Sequence, residues 1–393
     1  MGQTFCRIAM AALLFCAAGS LRGQERRGEL PLAVRLYGYV KLDAAWDSSR
    51  MVPGNYCLYA ASEAVADDDS QFNLTASQSR LGFDLTGPAG EGFETGGRLE
   101  FDFYGGGPEN KARPLLRHAY LRAAWKGRDL EVLAGQTWDV ISAFYLPTIY
   151  YTAGMAVGDY GYRRPQLRLT KGFAASEKDR LELRLAVTRT IGDGPAVNPF
   201  TPGDTGEDAG FPTLQGRLAW RSRRWFAGRP ATLAVYGHYG EEEYDLDSQD
   251  RGVDFASWSV GAEFALPLHP VLALKGSIYT GENLDTYVGG VIQGVNPAAL
   301  QEIGTTGGFL YAGLDPAGPF LFHLGWGVDD PRNDDLPTDG TGRSRNELWF
   351  VNGWYRITGD LRVGLEFSYW ETDYRNARDG TVFRGQLAFQ YLF

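Results

Sequence analysis

The chain has 393 residues, with 38 basic and 48 acidic side chains for a formal net charge of −10, 44% hydrophobic residues and a mean hydropathy of −0.27. Beyond the N-terminus no segment reaches the run of about 18 or more apolar residues that a helical membrane span needs, and the acidity argues against a nucleic-acid partner. Aromatic residues at 13% and 51 glycines instead suit many strands joined by tight turns.

In chain order, Arg7 precedes the apolar run Ile8 to Ala18, and the small residues Gly19 and Ser20 follow. This is the pattern of a secretory signal peptide, placed at 1–23, with the mature domain at 24–393. Phe15 stands where a small residue would precede a lipidated Cys16, so a lipoprotein signal fits less well. Once the signal is removed Cys57 stands alone, and an intramolecular disulfide is excluded.

Period-two alternation predicts strands near 33–46, 71–86, 93–104, 114–126, 129–137, 161–172, 180–190, 212–222, 231–241, 252–267, 270–280, 306–313, 319–328, 345–356, 359–371 and 381–393. The connections between them alternate in length. Gly87–Gly92, Gly127–Arg128, Phe173–Asp179, Arg223–Pro230, Leu268–His269, Leu314–Gly318 and Thr358 are short, whereas 47–70, 105–113, 138–160, 191–211, 242–251, 281–305, 329–344 and 372–380 are mostly long and polar. That alternation belongs to an all-β fold, a transmembrane antiparallel up-and-down β-barrel of about 16 strands, and not to a Greek-key sandwich.

Parity within the strands agrees. Leu99, Phe101 and Phe103 oppose Arg98, Glu100 and Asp102, while Leu361, Val363, Leu365 and Phe367 oppose Arg362, Glu366 and Ser368. Charge is costly against lipid, so the polar faces must line the lumen. A barrel of this strand number is wide enough for an aqueous channel, which makes permeation the default function.

The final strand, Thr381 to Phe393, sets Phe383, Leu387, Phe389, Tyr391 and Phe393 on one face and Arg384, Gln386 and Gln390 on the other. Its ending resembles the C-terminal signature of Gram-negative outer-membrane proteins. Gly38-Tyr39-Val40-Lys41-Leu42-Asp43, Ser77-Gln78-Ser79-Arg80-Leu81-Gly82-Phe83, Arg117-His118-Ala119-Tyr120, Leu133-Ala134-Gly135-Gln136-Thr137-Trp138 and Arg164-Pro165-Gln166-Leu167-Arg168 are similar to segments of the DcaP-like porins. The similarity covers the first six strands. It implies a homotrimeric sixteen-stranded porin of the outer membrane, in contact with lipid and lipopolysaccharide, that passes small and often anionic organic solutes without a cofactor. Family members often carry an N-terminal helical coiled-coil segment. Here a short stretch precedes the first strand, so trimerisation would rest on barrel walls and loops.

Selectivity in such a pore comes from charge lining its narrow part. By parity Lys41, Arg80, Arg98, Arg122, Arg164, Arg168 and Arg184 face the lumen. An arginine fork suits carboxylate or phosphate. Equally, these cations can pair with Asp43, Asp84, Glu100, Asp102 and Glu182 to brace the wall. Acidic runs at Asp67–Asp69, Glu241–Glu243, Asp329–Asp330 and Asp334–Asp335 read as outer-loop charge, either solvated or holding divalent cations, and no metal site is assigned. The connection 138–160 is unusually apolar, with Phe144, Tyr145, Tyr150 and Tyr151 as its aromatic residues. It must either fold into the barrel as a constriction or pack against another subunit.

Catalytic signatures are missing: there is no Gly-x-Ser-x-Gly elbow, no His-Glu-x-x-His and no phosphate-binding glycine loop. The alternatives to a porin are a barrel acting as adhesin or anchor, or less plausibly a lipid-hydrolysing barrel. The signal, barrel pattern and terminal Phe393 together predict outer-membrane fractionation and heat-modifiable electrophoretic mobility. Deleting Phe393 is expected to impair assembly, and insertion at native levels would refute this role of the last strand.

Overall fold

A computed structural model describes residues 32–106, 112–141, 143–150, 152–190, 206–226, 229–246 and 252–393. The expected signal peptide at 1–23 and Tyr151 lie outside the described residues. The barrel strands are β1 (Ala33–Asp47), β2 in two segments (Gln71–Thr75 and Arg80–Gly90), β3 (Phe93–Asp102), β4 (Leu115–Trp125), β5 (Leu130–Trp138) and β6 (Arg163–Ala174). They continue as β7 (Asp179–Thr188), β8 (Thr213–Phe226), β9 (Arg229–Asp245), β10 (Gly252–His269) and β11 (Leu272–Glu282). The last five are β12 (Gly304–Leu314), β13 (Phe320–Pro331), β14 (Arg343–Arg356), β15 (Leu361–Tyr374) and β16 (Gly380–Leu392).

Each strand pairs antiparallel with its sequence neighbours, and β1 closes the sheet on β16 from Tyr39↔Leu392 to Asp47↔Arg384. Closure matters because an open edge would leave backbone N–H and C=O groups in hydrocarbon. Where β2 breaks at 76–79, Ser79 bridges the gap. Its Oγ accepts from Lys41 N at 3.0 Å and donates to Lys41 O at 3.3 Å.

The short connections are 91–92, 126–129, 175–178, 227–228, 270–271, 315–319 and 357–360. The opposite end carries the longer ones, named loops 1 to 8: 48–70, 103–114, 139–162, 189–212, 246–251, 283–303, 332–342 and 375–379. Two details differ from the sequence expectation. The turn at 87–92 shrinks to two residues because β2 continues past Pro88 through a register shift between Thr86 and Ala89. The acidic runs at 241–243 and 329–330 belong to strands and not to loops, so alternation turns Glu242 and Asp329 inward, where both are fully buried.

Alternation also sorts the two faces of the wall. Phe383, Leu387, Phe389 and Tyr391 of β16 are exposed outward, while Arg384, Gln386 and Gln390 are buried inside. On β15 Leu365, Phe367 and Tyr369 point out, and Glu366, Ser368 and Trp370 point in. Near the short-turn end Phe173, Trp225, Phe320, Tyr355, Tyr391 and Phe393 crowd the outer surface, as an aromatic girdle at a membrane interface does.

The outward face of β14 offers a direct test. Val351 lies opposite Leu324 and Phe367, all three exposed and apolar. Val351→Arg is expected to cost about 2–4 kcal/mol in reversible unfolding from lipid bilayers, falling to about 0–1 for a residue beside a turn.

Candidate functional site

The inner wall is covered by loop 3, whose base is clasped before it enters the lumen. Asp139 N donates to Tyr162 O at 2.8 Å, Tyr162 N donates to Asp139 Oδ2 at 2.8 Å, and Arg164 Nε lies 3.0 Å from Asp139 Oδ1. Gln215 of β8 extends the clasp, accepting from Val140 N at 2.9 Å and donating to Asp139 Oδ1 at 2.8 Å.

From there the loop crosses to the far wall. Ile149 N donates to Glu366 Oε2 at 2.7 Å, Ile149 O accepts from Lys41 Nζ at 2.6 Å, and Asn352 Nδ2 donates to Pro147 O at 2.9 Å. Leu146 N reaches both oxygens of Asp159, at 3.0 and 2.9 Å. Burial pushes the Asp159 carboxyl well above its usual range, and the Leu146 N–H opposes that rise. Close approach is made possible by glycine. A Cβ on Gly327 of β13 would stand 2.1 Å from Val157 O, and Gly158, at φ +100, is pressed on Gly308 O of β12.

Loops 1 and 6 complete the filling. Asn346 Nδ2 donates to Leu58 O of loop 1 and Ala156 O of loop 3, each at 2.8 Å. Ala156 N and Gly161 N donate to Val288 O and Tyr287 O of loop 6 at 3.0 and 2.7 Å. An apolar cluster inside the barrel joins Met51 and Cys57 of loop 1, Leu146, Tyr150 and Val157 of loop 3, and Phe350 and Trp370 of the wall. Cys57 is a free cysteine sealed in that cluster, and burial raises its thiol to about 11, which keeps it protonated and inert.

The sequence-predicted cations separate into three groups. Lys41, 1% exposed, is held by Asp43 at 2.9 Å, Gln78 at 2.7 Å and Ile149 O; Arg164, fully buried, binds Asp139, Thr190 O and Thr286 O and lies over the Tyr287 ring. Both hold loops. Arg80, Arg98 and Arg122 each pair with a wall carboxylate: Glu100 at 3.5 Å, Asp84 at 2.8 Å and Glu131 at 3.0 Å.

Arg168 and Arg184 belong to a third group that the fold brings together with Arg217 and Arg221 of β8. All four line a cavity of ≈ 450 Å³ beside Trp138, Phe144 and Tyr145. Glu182 lies 2.9 Å from Arg184, 3.3 Å from Arg221 and 3.9 Å from Arg217, while Glu263 accepts from Arg217 Nε at 2.7 Å. Among the described residues Arg168 bonds neutral acceptors, Gln166 Oε1 at 2.9 Å and Trp138 O. Arg217 and Arg221 were absent from the sequence-based set. The alternation of Gln215, Arg217, Ala219 and Arg221 with Leu214, Leu218 and Trp220 is the period-two signal that marks them as inward.

The aromatic residues of loop 3 divide similarly. Tyr145 is exposed and stacks on Trp138 at 6.2 Å, and Phe144 lies under Lys275 at 5.6 Å. Tyr150 is buried, accepting from Tyr104 OH at 2.6 Å with Arg384 over its ring at 5.5 Å.

No known family profile matches the chain, and no curated protein matches it in sequence. Solved structures do match. The outer membrane channel DcaP of Acinetobacter baumannii is 17% identical with a TM-score of 0.73, covering 95% of this chain and 100% of its own. The anion-selective porin of Comamonas acidovorans is 14% identical with a TM-score of 0.57, over 92% and 100% of the two chains. OmpT of Vibrio cholerae, an outer membrane protein in trimer form, is 10% identical with a TM-score of 0.55, over 92% and 99%. At these identities the likeness is one of fold, and it extends the resemblance seen in the first six strands to the whole barrel.

Because loop 3 lies across the lumen, deleting 142–156 is expected to raise single-channel conductance at unchanged oligomer stability. Lower oligomer stability at unchanged conductance would place this segment at a subunit contact. The milder Glu366→Ala, which strands Ile149 N, should cost about 1–3 kcal/mol in denaturant unfolding.

Proposed function

We propose that the chain forms a water-filled outer-membrane porin, a homotrimer set in outer-membrane lipid and lipopolysaccharide, for passive diffusion of small hydrophilic anionic organic solutes. The single observation that carries this reading is the arginine-lined cavity beside loop 3. Four guanidiniums there face two carboxylates, Glu182 and Glu263, and Asp139 is already engaged by Arg164. The excess of two positive charges lies where the inward loop narrows the lumen, which is where a charge ring selects. Arg168, whose hydrogen-bond partners among the described residues are neutral, is the guanidinium best placed to meet a solute carboxylate.

The overall charge of −10 does not oppose an anion path, since exposed acids such as Asp67, Asp68 and Asp69 sit in loop 1, away from that cavity. The fold of an anion-selective porin supports the selectivity proposed, and the trimer form of a structural neighbour supports the assembly. A Ser–His contact, which a hydrolase reading would need, occurs at His238, whose ring nitrogens lie 2.6 Å from Ser259 Oγ and 3.1 Å from Ser257 Oγ. All three side chains are buried, and both ring nitrogens are taken by serines with no carboxylate among the described residues to orient the imidazole, so the trio braces the wall under loop 3.

Each arginine acts through water and contributes about 1 kcal/mol at close range. Arg168→Gln alone should shift the reversal potential in a salt gradient only slightly toward cations. The triple variant Arg168→Gln, Arg184→Gln, Arg221→Gln leaves Arg217 facing two carboxylates and is expected to reverse selectivity. The difference should fade between 0.1 and 1 M salt as the Debye length falls from about 10 to about 3 Å. A folded triple variant that keeps the parental anion preference at low salt would show that these arginines only brace the wall, and a silent parent protein would remove the porin reading itself.

A further inference from the structure

At the loop end of β9 the inward Glu242 meets the start of loop 6, where Asn283, Asp285 and Gly294 converge. Glu242 and Asn283 are both 0% exposed. Glu242 Oε2 accepts from Asn283 Nδ2 and from Tyr244 OH, each at 2.9 Å. Its other oxygen, Oε1, and Asn283 Oδ1 are buried with no hydrogen-bond partner.

The Asn283 oxygen is aimed at a second acid. Asn283 Oδ1 and Asp285 Oδ1 lie 2.2 and 2.5 Å from one point, the position a side chain on residue 294 would occupy were it not glycine. Rotating the carboxamide does not relieve this. One amide set between two carboxylates has one N–H₂ group, so whichever acid it serves, its oxygen faces the other. Neither Glu242 nor Asp285 has an ion-pair partner among the described residues, and the nearby Arg164 is committed to Asp139 and two carbonyls.

We propose that Glu242 Oε1, Asn283 Oδ1 and the Asp285 carboxylate bind one hard divalent cation, of the Ca²⁺ class, over Gly294. These are oxygen donors of the kind Ca²⁺ takes at about 2.3–2.6 Å, with water completing its 6–8 ligands. No trio of His, Cys, Asp or Glu forms a metal site among the described residues; this site combines two acids with a carboxamide. The cation neutralises two carboxylates that have hydrogen-bond donors but no ion-pair partner among the described residues, Asp285 Oδ1 accepting from Thr286 N at 2.7 Å, and it pins loop 6 to β9. Loop 6 in turn receives the backbone of loop 3 at Tyr287 O and Val288 O. The ion therefore sets the rigidity of the inner loops and takes no part in solute charge selection.

Terbium serves as the probe on the full-length protein in detergent, with tyrosine excitation exploiting Tyr244 and Tyr287 beside the site. The parent protein is expected to show one saturable, Ca²⁺-displaceable site per chain, and Ca²⁺ should raise its thermal unfolding temperature. Glu242→Gln and Asp285→Asn should each weaken terbium binding roughly tenfold or more. Gly294→Ala, which fills the cradle without altering charge, should do the same; heat-modifiable mobility reports that each variant is folded. Parent protein with no saturable terbium signal, or with unfolding indifferent to Ca²⁺ and chelator, would overturn the proposal, as would unchanged affinity in all three folded variants.

Discussion

Glu366 holds Ile149 N and Asp159 holds Leu146 N, and this capture of loop backbone by inner carboxylates is the interaction on which the lumen depends. A loop drawn into a barrel leaves water behind, so each of its N–H and C=O groups needs a partner or costs free energy comparable to a lost hydrogen bond. The wall supplies an acceptor at Glu366 and donors at Lys41, Asn346 and Asn352 for the loop carbonyls, and loop 3 adds its own acceptor at Asp139. Removing any one leaves a buried backbone group stranded.

That requirement explains why the barrel interior is lopsided. Loops 1, 2 and 3 build an apolar core against β12, β14, β15 and β16, with Phe309, Leu348, Phe350 and Trp370 as its floor. The arginines of β6, β7 and β8 are left facing the open cavity. An interior that mixes sealed apolar packing with a charged passage is held to one shape by its polar anchors. The glycines of β12 and β13 contribute by letting the loop backbone touch the wall backbone directly.

Charge within the barrel serves two purposes that residue type does not distinguish. Lys41 and Arg164 are cationic side chains like Arg168, yet the first two are consumed by loop carbonyls and acids while the third bonds neutral acceptors. The difference lies in what folds on top of each residue. Arg217 shows the same dependence in another form: it bonds Glu263 through the sheet while still lining the cavity with Arg221. Glu242 and Asp329, read from sequence as outer-loop acid, either solvated or holding divalent cations, are turned inward because their strands run longer than hydropathy indicated.

The sequence by itself determined the barrel. Strand positions, the alternation of short and long connections and the outward parity of residues such as Leu365 and Phe389 are local, period-two properties imposed by a bilayer on every strand alike. It also singled out loop 3 as apolar, though not where that loop would settle. Only the tertiary structure decided that Ile149 meets a carboxylate 217 residues away, and that Arg168 and Arg184 join Arg217 and Arg221 around one cavity. Those facts depend on barrel closure and on the path of loops across the lumen. Both set contacts between residues distant in sequence, and no local periodicity encodes them.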